Sequence, residues 1–141
     1  AREYASEVVK VCKAPDDSKI IAAEIRKCLD HGCDLIVTSG GMSVDPDDVT
    51  REGIIEAGAR TAVYGTPVLP GAMFLSGMIG EIPVLGLPAC GMFHKITVFD
   101  LVLPRILTGE SIGRKELAEL GHGGLCRNCK ICNYPVCNFG K

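Results

Sequence analysis

No stretch of this sequence stays apolar for the roughly 20 residues that a helix needs to cross a membrane. The opening, AREYASEVV, lacks both the basic start and the apolar middle of a secretion signal. Positive charge is not in excess: 15 Lys and Arg stand against 17 Asp and Glu, a net −2, so neither nucleic acid nor an anionic membrane is expected as the main partner. Repeats and low-complexity segments are missing too. Together these absences point to a cytoplasmic protein whose ligands are small molecules or other proteins. Methionine does not stand first, which agrees with a processed chain or a fragment.

What is present suits a globular fold. Of 141 residues, 47% are hydrophobic and 23% charged, a balance that buries a core without disulfide staples. Glu7 to Ala14, EVVKVCKA, reads as a strand ending at PDDS. SKIIAAEIRKCLDHG then sets Ile21, Ile25, Cys28 and Leu29 on one helical face until Gly32 stops it. DLIVTS is a short apolar strand of the kind buried on both faces of a parallel sheet, so strand, helix and strand predict a right-handed crossover. DVTREGIIEAGA is the next helix, with Asp48 or Thr50 at its cap and Gly58 near its end. TAVYGTPVL, AMFLSG and IPVLGLP are extended, the last two joined by a turn at Gly80. GMFHKITVFDLVLPRILTG places Met92, Ile96, Phe99, Leu103 and Ile106 at helical spacing, with a kink at Pro104. A polar helix from Arg114 to Leu120 leads to GHGG, where the composition changes. The expectation is an α/β domain with a mainly parallel sheet over residues 1–120 and a small Cys-rich, metal-type tail over 121–141.

TSGGMSVDPDD, Thr38 to Asp48, leaves the end of a buried strand and enters a helix, which is where open α/β sheets bind ligands. Gly40 and Gly41 let the backbone approach a ligand and aim N–H groups at it, while Thr38, Ser39 and Ser43 add hydroxyls. That set suits a phosphate or another oxyanion. The aspartates that follow would repel the same anion unless a divalent cation lay between them, so a magnesium-bridged phosphate is the economical expectation. A plain turn with a helix-capping Asp is the alternative.

DLIVTSGGMSVDPDDVT resembles the signature of the molybdopterin-binding fold shared by molybdopterin adenylyltransferases and molybdotransferases, in which a strand runs into [ST]-[SG]-G-G and later an Asp. LPGAMFLSGMIGEIPVLGLPACGM is similar to the family's Pro-Gly segment, hairpin and L-P-G-type loop, and APDD falls where a second acidic site opens an earlier helix. The resemblance runs over roughly residues 5 to 108. It implies a three-layer sandwich lacking the family's first strand, because AREYASEVV resembles the end of the first helix. It implies that Thr38, Ser39, Gly40, Gly41 and Ser43, with Pro70, Gly71, Pro88 and Ala89, line a molybdopterin pocket. Asp48 takes the position of a catalytic, magnesium-associated aspartate, and Asp16 that of a second catalytic acid. Adenylyl transfer from ATP or molybdate insertion would be the chemistry, in a homo-oligomer. The chain departs from the pattern at Leu69, where a lysine is usual, and at Ala89, which takes a glycine position with no second proline after it. These departures favour binding over turnover. The alternative is a non-catalytic molybdopterin carrier, or a redox or metal sensor, that docks a molybdoenzyme.

Cys12, Cys28, Cys33 and Cys90 lie singly in regular segments. A reactive thiol or metal pair is one reading of Cys90 and His94; a small buried residue beside a partly exposed His is the preferred one. Cys126, Cys129, Cys132 and Cys137 instead crowd into CRNCKICNYPVC, a spacing that points to a metal site. Zinc usually separates its two Cys pairs by a longer insert, whereas cysteines at successive three-residue steps look like ligands of a [4Fe–4S] cluster. Pro135 precedes the fourth cysteine rather than following it, so zinc stays open while the spacing leans to the cluster. Disulfides are disfavoured in the cytoplasm. His122 and its glycines read as a hinge.

Overall fold

A computed structural model describes residues 4–43 and 45–141. Asp17 starts helix α1 (Ser18–Asp30): its carboxylate accepts the N–H groups of Lys19 and Ile20 at 2.9 and 3.0 Å. Ile21, Ala22 and Ile25 form the buried stripe that their spacing dictates. Strand β1 (Ile36–Ser39) follows, then α2 (Thr50–Glu56), β2 (Arg60–Tyr64), β3 (Leu75–Ile79) and β4 (Ile82–Leu87).

The four strands lie in the order β1-β4-β3-β2, with β1 parallel to β4 and the other two pairings antiparallel. The sheet is mixed, which corrects the mainly parallel one that the apolar runs predict. A hairpin closed by the Ile79–Ile82 pair forces β3 and β4 antiparallel. The run IPVLGL reads the same in either setting because β4 is packed on both faces. Val84 joins the cluster built with Ile21, Ile25 and Ile54 of α1 and α2, while Leu85 joins the one built with Val98 and Val102. Helices therefore cover both sheet faces, in three layers.

Glu7 to Ala14 forms no strand. Val8, Val9 and Val11 are 65%, 53% and 78% exposed, and among the described residues β1 has β4 as its neighbour and no other. A strand is defined by the hydrogen bonds of a neighbour, and here the segment rests against α1 instead. Lys10 donates to the Lys27 carbonyl at 3.2 Å, and the Cys12 and Cys28 sulfurs stand 3.7 Å apart. Burial, then the Cys12 thiol, pushes the Cys28 thiol up to about 11. The crossover predicted from this strand is likewise not formed.

The long helix predicted after residue 91 is broken in two. A 3-10 turn spans Ala89–Met92, and α3 runs over Val98–Leu107. Thr97 makes the break: its N–H is accepted by the Asp100 carboxylate at 2.7 Å, and its hydroxyl accepts the Phe99 N–H at 3.2 Å. This reciprocal cap is a stronger local signal than the apolar spacing that spans it. Met92 is exposed as a result, and α3 buries Val98, Val102, Leu103 and Ile106. Helix α4 (Arg114–Glu119) adds Leu117 to the same layer. No helix among the described residues is long and apolar enough to cross a membrane.

The tail is tied to the body at several points. Leu69 and Leu125 form a parallel bridge, with Leu69 N–H donating to Gly124 O at 2.7 Å and Cys126 N–H to Leu69 O at 2.8 Å. Phe139 is buried in the α3 cluster. Pro104 has no N–H to give the Asp100 carbonyl one turn earlier, and the Tyr134 hydroxyl donates to that carbonyl at 3.1 Å. Tyr134→Phe should therefore cost about 1–2 kcal/mol, because the acceptor stays and its donor goes. A lower Tm and faster proteolysis within residues 126–141 would be the readout; an unchanged melt would show that water replaces the hydroxyl freely.

Candidate functional site

Strands β1 and β4 are parallel neighbours in the register Ser39 to Leu87, so both end at one sheet edge. Gly40 and Gly41 therefore emerge beside Pro88 and Ala89. Gly71 joins the Pro88–Ala89 turn: its backbone hydrogen-bonds the Cys90 thiol next to Ala89, it packs on Val98 at the start of α3, and Val98 N–H donates to Pro70 O at 3.0 Å. The fold thus brings together the three segments singled out in the sequence. Accessibility divides them. Ser39, Gly40, Ser43 and Ala89 are exposed, Thr38, Gly41 and Asp48 are half-buried, and Pro70, Gly71 and Pro88 are buried supports.

The loop after β1 is pinned from several directions. Gly41 O accepts the Thr50 N–H at 3.1 Å, which ties the loop to α2. The Met42 side chain is buried over Gly86, where a Cβ would stand 2.6 Å from the methionine methyl. Tyr64 donates its hydroxyl to Met42 O at 2.7 Å. Asp48 closes the far end, accepting the Ser43 N–H at 2.9 Å and, more weakly, that of Asp45 at 3.4 Å. Asp48 does not cap α2, since Val49 is the cap residue and supplies no side-chain bond. At the end of the ladder the Ser39–Leu87 pair takes up the Gly40 N–H, donated to Leu87 O because Pro88 has no N–H for the alternative bond, while the Gly41 N–H donates no hydrogen bond among the described residues. Both glycines have positive φ, 87° and 60°, which turns the chain sharply off the strand end and leaves the Gly41 amide without a partner. Thr38 spends its hydroxyl proton on Leu85 O at 3.2 Å, while Ser39 makes no described bond through its own.

Asp16 stands apart. It is exposed at the start of α1, where Asp17 does the capping, and no described hydrogen bond or ion pair links it to the loop. Met42, Tyr64 and Thr50 are the supporting residues that sequence reasoning misses. A methionine between glycine and serine carries no pattern, and Tyr64 reaches the loop only because β2 lies across the sheet.

A larger cleft, of about 540 Å³, runs along β2 and α4 and is lined by Arg51, Tyr64, Thr66 and Arg114 among others. None of the loop glycines borders it. Tyr64 links the two regions: its hydroxyl holds the loop, while its ring lines the cleft under the Arg51 guanidinium at 5.1 Å. Burial raises the Tyr64 pKa against the pull of Arg51, which keeps on the phenol the proton that it donates. The loop is the stronger ligand candidate, because it offers an unpaired amide and exposed hydroxyls at a strand end whereas the cleft is an open groove.

Burial likewise pushes the Cys90 thiol up, which makes a reactive thiolate there unfavourable. All eight cysteines are free thiols. Among the described residues, no three His, Cys, Asp or Glu side chains are already arranged to hold a metal ion, so the tail thiols are not preassembled as the spacing suggests.

The sequence pattern of the probable molybdopterin binding domain family matches residues 1–108. A protein of Archaeoglobus fulgidus is 41% identical over 61 residues, covering 43% of this chain and 26% of its own length. A CinA-like protein of Thermosipho melanesiensis is 34% identical over 62 residues, 44% of this chain and 15% of that protein. The chain thus matches about a quarter or less of the length of these curated relatives. Among solved structures, the molybdopterin biosynthesis enzyme MoaB of Thermus thermophilus has a similar fold, with a TM-score of 0.59 and 27% identity, covering 77% of this chain and 82% of that one.

Proposed function

Since the chain belongs to the molybdopterin-binding domain family, we propose that it binds molybdopterin, a pterin phosphate of molybdenum cofactor biosynthesis, with the phosphate on the loop from Thr38 to Asp48. The observation that carries this reading is the unpaired amide of Gly41 at the end of β1, held in place by bonds that use the loop's other groups. Ser39 adds an exposed hydroxyl, and Thr38 and Ser43 flank the amide. Pro70, Gly71 and Pro88 serve as walls behind the site, with Ala89 at its rim.

Adenylyl transfer from ATP, or molybdate insertion, is the finer form of the proposal. Asp48 spends one carboxylate oxygen on the loop amides, and the other is the donor this loop would offer to magnesium, an ion that binds through one or two carboxylates and the substrate phosphate. When bound, that ion would neutralise phosphate charge. Asp16 would act only after a movement that brings it to the loop. A second reading, a carrier that docks a molybdoenzyme, draws support from Met92 and Phe93. These two neighbours are 77% and 80% exposed, directly after the Pro88–Ala89 rim.

Ser39→Asp tests the binding claim directly, because Ser39 is exposed and its hydroxyl has no described partner to lose. A carboxylate placed there should weaken molybdopterin binding in isothermal titration by about tenfold or more, at an unchanged Tm. Equal affinity in this variant would move the phosphate away from the loop.

A further inference from the structure

A small cavity of about 20 Å³ lies where the tail meets the turn after β4, and His94, Cys126, Asn128, Cys129 and Cys132 are among the residues that line it. Three of the four tail cysteines share this space. Cys137 is not among its lining residues and packs instead against the α3 core. His94 Nδ1 is buried and has no hydrogen-bond partner. A ring nitrogen shut off from water and unpaired is uncommon enough in a folded protein to call for a ligand. Asn128, with a φ of 48°, adopts the left-handed turn that asparagine tolerates, and this bends the chain so that Cys126 and Cys129 border one cavity.

We propose that Cys126, Cys129, Cys132 and His94 bind a single soft divalent ion, zinc by its chemistry. Three thiolates and one imidazole are a standard tetrahedral zinc set. The narrow space favours a single ion over an iron–sulfur cluster, since about 20 Å³ is room for one water-sized body. Two of the donors sit on backbone that is already held: the Cys126 backbone N–H donates to Leu69 O, and the His94 backbone N–H to Cys90 O at 3.2 Å. Cys129 and Cys132 are exposed on irregular backbone and close onto the ion without moving the core. On binding, each thiol releases its proton to solvent and His94 binds as the neutral ring. The ion then staples the tail to the turn that begins at the rim of the anion loop. This site does not depend on what the loop binds.

The test uses the full chain, purified under reducing conditions and stripped of metal. Titration with Co²⁺ should give one ion per chain, with tetrahedral d–d bands and sulfur-to-cobalt charge transfer for three thiolates, and Zn²⁺ should displace it. His94→Ala should weaken binding by at least the ~10–100-fold that loss of an outer-shell partner already costs. Cys137→Ala should leave both affinity and spectrum as they were. Circular dichroism of each metal-free variant checks that the fold survives, and His94→Cys should restore tight binding with a fourth thiolate in the spectrum. Loss of binding in Cys137→Ala with retention in His94→Ala would overturn the assignment in favour of a four-cysteine site. An iron–sulfur chromophore in the anaerobic protein, or no stoichiometric cobalt binding, would overturn it as well.

Discussion

Gly71→Ala is expected to lower stability by about 2–6 kcal/mol, combining backbone strain with overpacking, a large share of the 5–15 kcal/mol that holds a typical domain together. Gly71 has φ 131°, and a Cβ there would stand 2.3 Å from Val98 Cγ1, 2.8 Å from Val98 Cβ and 3.1 Å from the Val98 backbone nitrogen. No flexible side-chain end is available to move aside. Val98 is fully buried, and its N–H is bonded to Pro70 O. On the other side, Gly71 O accepts the Phe74 N–H at 2.9 Å, and Phe74 is fully buried too. The alanine must push on the start of α3 or break the turn that seats Phe74. Gly40→Ala is the control: its Cβ would meet nothing within 4 Å, so only the strain of a positive φ, about 1–2 kcal/mol, applies. Urea unfolding of the two variants should separate them clearly. Equal midpoints would mean that the close approach of Gly71 to α3 does not exist in solution.

Asp48→Ala should cost about 10–100-fold in molybdopterin affinity, the range expected when a charged acceptor is removed from a loop amide. The family resemblance alone suggests otherwise, since an aspartate that serves only magnesium and turnover could be lost with much of the binding intact. The geometry changes that expectation. The Asp48 carboxylate takes the Ser43 N–H at 2.9 Å and so closes the loop just beyond Gly40 and Gly41. Without it the loop must be ordered when the ligand arrives, which costs affinity. Asp48→Asn separates the two roles, because an amide oxygen still accepts from Ser43 but carries no charge for a cation. Titration without magnesium should find the Asn variant within a few-fold of the parent and the Ala variant far weaker. Addition of magnesium should strengthen binding in the parent and leave the Asn variant unchanged. An Ala variant that binds like the parent would remove the brace from the account of binding.

Much of this could be reasoned from the amino acids alone. Local rules governed α1, where Asp17, Ser18 and the stripe of Ile21 and Ile25 act within a few residues of one another. They also located the Gly40–Gly41 loop, the Gly80 turn and the dense tail of cysteines, because backbone permissiveness and thiol spacing are properties of short segments. Whether Glu7 to Ala14 becomes a strand was a different question. A run rich in valine favours extended backbone, yet only a hydrogen-bonded neighbour makes a strand of it, and α1 offers none. The direction of the sheet, the grip of Met42 and Tyr64 on the loop, and the meeting of His94 with cysteines more than thirty positions away belong to the tertiary structure. Each is a contact between distant segments, whose energy depends on how whole layers stack and so is invisible to any window of neighbouring residues.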